Sequence, residues 1–537
     1  ISDLGLLGKV WGFLKYYHPK IAGGDVNWDY ELFRFLPKYT KSLLAKEKLL
    51  EEWIDSYGSV APCSTCGDVN DKAFLKPDLQ WISSAIESES LQKKLHFIYL
   101  NRNQNSSFYV SSGKVGNADF SNENAYAHLS YPDAGFRLLA LYRYWNIIQY
   151  FFPYKHLIDK NWNETLMHYI PKFLNAKNEL EYEYTALQII GDIQDTHANL
   201  WGGNDKISRD RGEYFPPVHT RFINEKLVVT DFYTENAKEN QLMSNAVGLK
   251  LGDVITAIDG VRVEELVKQR SPFYPASNLA ARLRDLAPDL LRANSNSITV
   301  SFIRDGKLNE QQLQLYKKSE LNYFRWYRRD NEEPSFKLLA NNIGYVSLKT
   351  ISKEDVKQIK MDFLNTKGIV IDIRNYPNTF VPFTLGSFFA QGKTPFVKFT
   401  VPNFNNAGEF SFTNLIELPK SKNTYEGKLV VLVNEYTQSQ AEYTSMAFRA
   451  GQNTTILGST TAGADGNVSS IYLPGNLRTM ISGIGVYYPD GTETQRVGII
   501  PDVVIHPTIE GIKMGKDELL EKAIELIEQD GQRVGVN

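Results

Sequence analysis

Apolar residues recur along this chain with three different rhythms, and each rhythm predicts a different kind of element. In the first part, aromatic and aliphatic residues fall at helical spacing before a Tyr/Phe-x-Pro break, and a second helix starts near Asn-Trp. After Gly202-Gly203 the texture turns to short β-rich runs, such as Lys226-Leu-Val-Val-Thr-Asp231 and Ser297-Ile-Thr-Val-Ser-Phe-Ile303. Turn chemistry such as Asp305-Gly306 separates them. From Asn342-Ile-Gly-Tyr-Val-Ser-Leu348 onward, apolar strands alternate with helical stretches, the pattern of a layered α/β core. Within that core the run Leu429 to Val433 reads as a strand of a covered parallel sheet, and Ala441 to Ala450 as the helix packed on it. A last amphipathic helix runs from Glu518 to Gln529. The expectation is a multidomain α/β chain: a helical region over 1–206, a β-rich domain over 207–320 and an α/β core over 321–537.

The helical region contains a duplication. Trp11, Tyr16, Pro19, Asp25, Asn27, Trp28, Leu32, Pro37 and Lys38 recur as Trp145, Tyr150, Pro153, Asp159, Asn161, Trp162, Leu166, Pro171 and Lys172, at a constant offset of 134. This predicts two copies of a helical hairpin. Aromatic stripes at helical spacing serve as core far more often than as a ligand box, so core is the expectation.

Charge and cysteine usage narrow the function classes. With 59 basic and 62 acidic residues the net charge is −3, and no basic stripe or polybasic tail stands out. Nucleic acid is therefore not expected as a partner. No apolar run approaches the roughly 18 residues that span a bilayer. The two cysteines, Cys63 and Cys66, lie in the turn-rich Ala61-Pro-Cys-Ser-Thr-Cys-Gly67 and predict a small loop disulfide. Metal binding would need two further ligands, and although there are eight histidines, no His-Glu-x-x-His occurs. No metal or other cofactor is expected. The loop disulfide and the absence of an initiator methionine lead us to expect an exported protein, periplasmic or extracellular.

One serine stands where chemistry can happen. Ser439 lies at the sharp junction between the buried strand ending at Val433 and the following helix, where free N–H groups and the helix dipole favour an oxyanion. The structural alternative is a capping box, Ser439-Gln-Ala-Glu442, in which the serine only caps the helix. In the middle domain, Gly248-Leu249-Lys-Leu-Gly252-Asp253-Val-Ile-Thr-Ala-Ile-Asp259-Gly260 resembles the signature of a PDZ domain. That resemblance implies capture of an extended peptide near Gly248, Leu249 and Gly252.

Over roughly residues 190 to 507 the chain resembles the C-terminal processing peptidases and the related tricorn-type serine peptidases, the tail-specific protease family. The resemblance rests on Gly368-Ile-Val-Ile-Asp372-Ile-Arg374-Asn-Tyr-Pro377-Asn-Thr, on Gly458-Ser-Thr-Thr-Ala-Gly463-Ala-Asp-Gly and on Val497-Gly-Ile-Ile-Pro-Asp502. It implies a ClpP/crotonase-like α/β core and peptide or protein substrates, with Ser439 as nucleophile. The processing peptidases use a Ser-Lys dyad, but the position that matches their lysine is Ala464. The tricorn branch uses a histidine that precedes the PDZ-like unit, which here is His197 in Gly191-Asp-Ile-Gln-Asp195-Thr196-His197. The tricorn pattern further implies an orienting hydroxyl, matched by Thr196, and a carboxylate, where Gln495 aligns with Glu493 two residues away. The oxyanion donors it implies are the backbone N–H of Gln440 and one from the Pro377-Asn378 turn. His197 is expected within hydrogen-bonding reach of Ser439. The competing expectation is an inactive pseudo-peptidase that binds peptides or hydrophobic ligands, marked by the missing lysine, the altered Gly-Gly turn and Gln495. The sequence does not specify an oligomeric state.

Overall fold

The computed structural model describes residues 1–67, 70–234, 237–324 and 334–534. Two compact units emerge. The first comprises Ile1–Lys206, Phe399–Asn414 and Asn467–Gly485, and the second comprises Ile207–Lys398, Leu415–Gly466 and Val486–Asn537. The leading segment of the first unit ends at Lys206, and two later segments fold with it. Backbone hydrogen bonds explain why: Gly408 N–H donates to Tyr150 O at 2.9 Å, and Leu75 pairs with Phe410 as an antiparallel bridge.

The first unit is built on α1 (Ser2–Tyr17), α2 (Trp28–Lys41), α3 (Ala134–Phe151), α4 (Trp162–Asn175) and α5 (Glu179–Asp192). The duplication is visible atom by atom. Trp11 Nε1 donates to Trp28 O at 3.2 Å and Trp28 Nε1 donates back to Trp11 O at 2.9 Å. In the second copy Trp145 Nε1 donates to Trp162 O at 2.7 Å, and Trp162 Nε1 to Trp145 O at 3.1 Å. Asn27 and Asn161 each cap the second helix of their hairpin with a side-chain oxygen. All four tryptophans are buried, so the stripe is core, and each indole is worth on the order of 3 kcal/mol of burial. Cys63 and Cys66 form a disulfide with their Cα atoms 5.5 Å apart.

The second unit holds two six-stranded sheets. In one, β1 (Val218–Ile223), β2 (Lys226–Phe232), β3 (Val254–Ile258), β4 (Ser297–Arg304) and β5 (Lys307–Gln314) pair antiparallel in that order. The helix α6 (Leu279–Leu290) packs on β1, and Leu286 and Leu290 join Val218, Leu227, Ile255 and Phe302 in a common core. The Asp305-Gly306 turn joining β4 and β5 has positive φ at both residues, as a two-residue hairpin requires.

The other sheet runs β6 (Phe336–Leu339), β7 (Ile343–Ser347), β8 (Gly368–Asp372), β9 (Lys428–Val433), β10 (Thr454–Gly458) and β11 (Val503–Val504). All neighbours are parallel except β6 and β7. β9 lies inside this sheet, and Leu429 to Val433 are at most 1% exposed, so the strand is apolar on both faces. The helix α7 (Gln440–Arg449) follows it, and α8 (Glu518–Val534) lays Leu519, Ala523 and Ile527 against Val430 and Leu432. In an open parallel sheet, ligands bind beyond the carboxyl ends of the strands, which is where the loop from Asn434 to Ser439 lies.

Candidate active site

Ser439 sits in that loop with φ 57° and ψ −122°, a conformation L-residues rarely adopt. Holding a non-glycine residue there costs on the order of 1 to 3 kcal/mol, so the surrounding structure must enforce it. Three hydrogen bonds do so. Ser439 N–H donates to Ala464 O at 3.0 Å and to Glu442 Oε2 at 3.2 Å, while Ser439 O accepts from Tyr443 N–H at 3.0 Å. Both halves of the expected capping box are in place: the Glu442 side chain accepts from Ser439 N–H, and the Ser439 side chain faces the Glu442 N–H without a regular hydrogen bond. The side chain is half-buried at a strand-to-helix turn, the geometry of a nucleophile elbow.

Glu442 is the clamp beneath this turn. It is fully buried, and besides Ser439 N–H it accepts from Thr461 Oγ1 at 2.5 Å, Gly463 N–H at 2.8 Å and Ala464 N–H at 3.0 Å. Burial pushes its carboxyl above the ordinary range, and these four donors pull the other way without cancelling the effect. Next to it, Asp465 is pushed well up by burial and then by the charge of Glu442, and its Oδ2 has no hydrogen-bond partner among the described residues. Ala464, which stands beside Asp465, is fully buried.

Two arginines hold the loop that precedes Ser439. Arg221 of β1 reaches Glu435 Oε1 at 2.7 Å, and Arg284 of α6 donates to Glu435 O at 2.8 Å and to Gln438 Oε1 at 2.9 Å. Both β1 and α6 are therefore tied to the loop that carries the serine.

His197 is buried at 8% exposure in the first unit. Its Nδ1 lies 2.8 Å from Ser482 Oγ, and Ser482 Oγ donates to Asp195 Oδ1 at 3.0 Å. Asp195 is fully buried; it also accepts from Ser482 N–H at 2.6 Å and from His197 N–H at 3.0 Å. The protons can be counted. A carboxylate only accepts, so the single hydroxyl proton of Ser482 goes to Asp195, and Ser482 Oγ must accept from Nδ1–H. That fixes the tautomer with the lone pair on Nε2. Asp195 Oδ1 is 3.8 Å from Nδ1, close enough to stabilise an imidazolium.

Several expectations about the site need correcting. His197 Nδ1 meets the hydroxyl of Ser482, with the carboxylate of Asp195 behind it, a pair that the sequence did not point to. Thr196 is buried beside it at 4% exposure. Gln495 is buried at 2% exposure with both amide atoms unpartnered among the described residues, and Glu493 is half-buried. Asn378 does not offer its N–H to an oxyanion, because that group donates to Leu348 O at 3.0 Å. Leu249 is fully buried in the core of the β-rich sheet. Gly248 N–H donates to Ser244 O and Gly252 N–H to Val229 O, both at 2.9 Å. Gln440 is the first helical residue after the serine, where a backbone N–H has no intrahelical partner.

Sequence reasoning missed Ser482 because it belongs to no motif and lies 285 residues from His197. Asp195 had a signal, its i, i+2 spacing to His197, which is that of an Asx turn.

Residues 342–505 match the profile of Peptidase family S41. Over that segment the chain is similar to the family. It is similar to the tricorn protease of Thermoplasma volcanium, at 20% identity over 375 residues, covering 65% of this chain and 32% of that one. The chain thus spans about a third of the length of the curated tricorn relatives it matches. Among solved structures it is similar in fold to mature CPAF complexed with lactacystin. There the TM-score is 0.57 at 13% identity, and the match covers 75% of this chain and 99% of that one. The S41 profile spans the β7-to-β11 sheet, and so includes Ser439, Glu442 and the Gly463-Ala464 turn.

Among the described residues no group of three or more His, Cys, Asp or Glu side chains is placed to hold a metal ion. No helix among them is long and apolar enough to cross a membrane.

Proposed function

We propose that this S41 chain is a serine endopeptidase that cleaves peptide bonds through an acyl-enzyme on Ser439, with His197 as general base. The observation that carries this reading is the strained backbone of Ser439, since a mere helix cap has no need of φ 57°. His197 Nε2 takes the hydroxyl proton as Oγ attacks the substrate carbonyl, and returns it to the leaving amine. Ser482 and Asp195 hold the ring in the required tautomer and stabilise the imidazolium, taking the role assigned from sequence to Thr196 and Gln495. The oxyanion is held by Gln440 N–H and, with Asn378 N–H committed elsewhere, by the next N–H of that turn, Thr379.

The β-rich domain is PDZ-like in this reading, and a substrate segment adds as a strand beside β1 with its side chains against α6. The core is ClpP/crotonase-like. The loop disulfide supports an exported protein. One observation favours the alternative of a non-catalytic binder: Gln495 is buried, and unpartnered among the described residues, where the tricorn pattern has a carboxylate.

Incubation with an unfolded protein separates the two readings. The full chain should fragment it and Ser439→Ala should not. Intact substrate after prolonged incubation with the unmodified chain would favour the binder.

A further inference from the structure

Four aromatic rings close a circle in the second unit, the unit that also holds Ser439. Phe380 stacks on Tyr443 with ring centroids 5.8 Å apart and planes 20° apart, and Phe396 meets Tyr443 edge-on at 5.3 Å. Phe383 meets Phe396 edge-on at 5.8 Å and returns to Phe380 at 6.0 Å. Separate stretches supply these rings: Tyr443 comes from α7, Phe396 from the strand Thr394–Pro402 and Phe383 from the helical turn Pro382–Gly386.

Burial is uneven around the circle. Phe396 is 2% and Tyr443 9% exposed, whereas Phe380 is 51% exposed although its ring lies on Tyr443. A lone apolar side chain at a surface needs no explanation. This one is seated on a buried aromatic base, so it presents a preformed apolar face.

The positions of the two stacked rings in the chain say what that face meets. Phe380 directly follows Thr379, whose N–H is the proposed second oxyanion donor. Tyr443 lies one turn beyond Ser439, and its N–H donates to Ser439 O at 3.0 Å. Side chains on a helix lean toward its N-terminus, so the Tyr443 ring leans toward the turn that carries the serine. A substrate carbonyl held by Gln440 N–H and Thr379 N–H is bonded directly to the Cα of its own residue, so the side chain of that residue is the one brought to Phe380. Asp465, whose charge reaches the Tyr443 hydroxyl, is only 1% exposed and does not offer its carboxyl to a basic side chain.

We propose that Phe380, seated on Tyr443, selects substrates with an aromatic or large aliphatic residue on the acyl side of the scissile bond. This names the substrate class of the Ser439 site and rests on the peptidase reading.

Peptidyl diphenyl phosphonates that differ only in that residue test it on the full chain, with a fluorophosphonate, which carries no such side chain, as the reference for Ser439 reactivity. The phenylalanine and leucine phosphonates should modify Ser439 at least about tenfold faster than the lysine one. Phe380→Ala should narrow that ratio to about threefold or less, and Phe380→Tyr should keep it; a ratio cancels any general loss of reactivity. The proposal is overturned, with the peptidase reading left standing, if the fluorophosphonate labels Ser439 while the three phosphonates react alike, if lysine is preferred, or if Phe380→Ala keeps the parent ratio. If Ser439 takes no fluorophosphonate, the peptidase reading falls and this proposal falls with it.

Discussion

Ser482 Oγ lies 2.8 Å from His197 Nδ1 although 285 residues separate the two in sequence. The contact exists because Ser482 ends the second strand of the Val468–Leu473 and Leu477–Ser482 hairpin, which folds with the helical region that carries His197. It follows that the ring is oriented by a hydroxyl whose only proton is already given to Asp195. Ser482→Ala should lower kcat by about 10²-fold with little change in KM, because general-base efficiency of that order depends on tautomer and orientation. Asp195→Asn should lower it at least as much. An unchanged kcat in both variants would remove Ser482 and Asp195 from the mechanism.

The strain at Ser439 predicts a divergence between two inactive variants. Ser439→Gly accepts φ 57° without penalty, whereas Ser439→Ala keeps the strain. The glycine variant should be more stable than the alanine variant by about 1 kcal/mol in denaturant melts, in spite of glycine's greater chain entropy. Equal or lower stability would mean the backbone is not strained.

The buried acids beneath Ser439 give a pH dependence of definite sign. Glu442 and Asp465 both have carboxyls raised in the folded state, so in the folded chain they bind protons more tightly than in the unfolded one. Stability from these groups is therefore lost as pH rises from the ordinary carboxylate range, about 4, through their raised folded values. Asp465→Asn removes the less satisfied of the two charges. Its Tm should match the parent's near about pH 4 and exceed it by roughly 2 °C or more near about pH 8. A gap that stays constant across this range would contradict the assignment.

Arg284 ties α6 to the loop that presents Ser439. Arg284→Lys keeps the charge but loses the forked geometry, and should reduce kcat about tenfold with a nearly unchanged melting curve. A change confined to KM would place Arg284 in substrate binding alone.

How much of this was legible in the chain depends on the range of each signal. The tryptophan repeat was readable because its pattern is local: each indole bonds a carbonyl 17 residues away, and the offset of 134 reproduces the bond in the second copy. Ser439 was readable because a buried strand, a turn and a helix follow one another directly. Ser482 was invisible because its role comes from tertiary pairing alone. Leu249 misled because the same turn that resembles a peptide-binding signature also closes a hydrophobic core. Asn378 misled because its N–H satisfies Leu348, a partner that no spacing rule announces.

Covalent labelling with a fluorophosphonate, followed by peptide mapping, tests the central claim most directly, because the reagent reacts only with a serine activated by a base. The account predicts modification of Ser439 in the full chain and its loss in His197→Ala. No label on Ser439, or labelling that survives in His197→Ala at the parent rate, would contradict it.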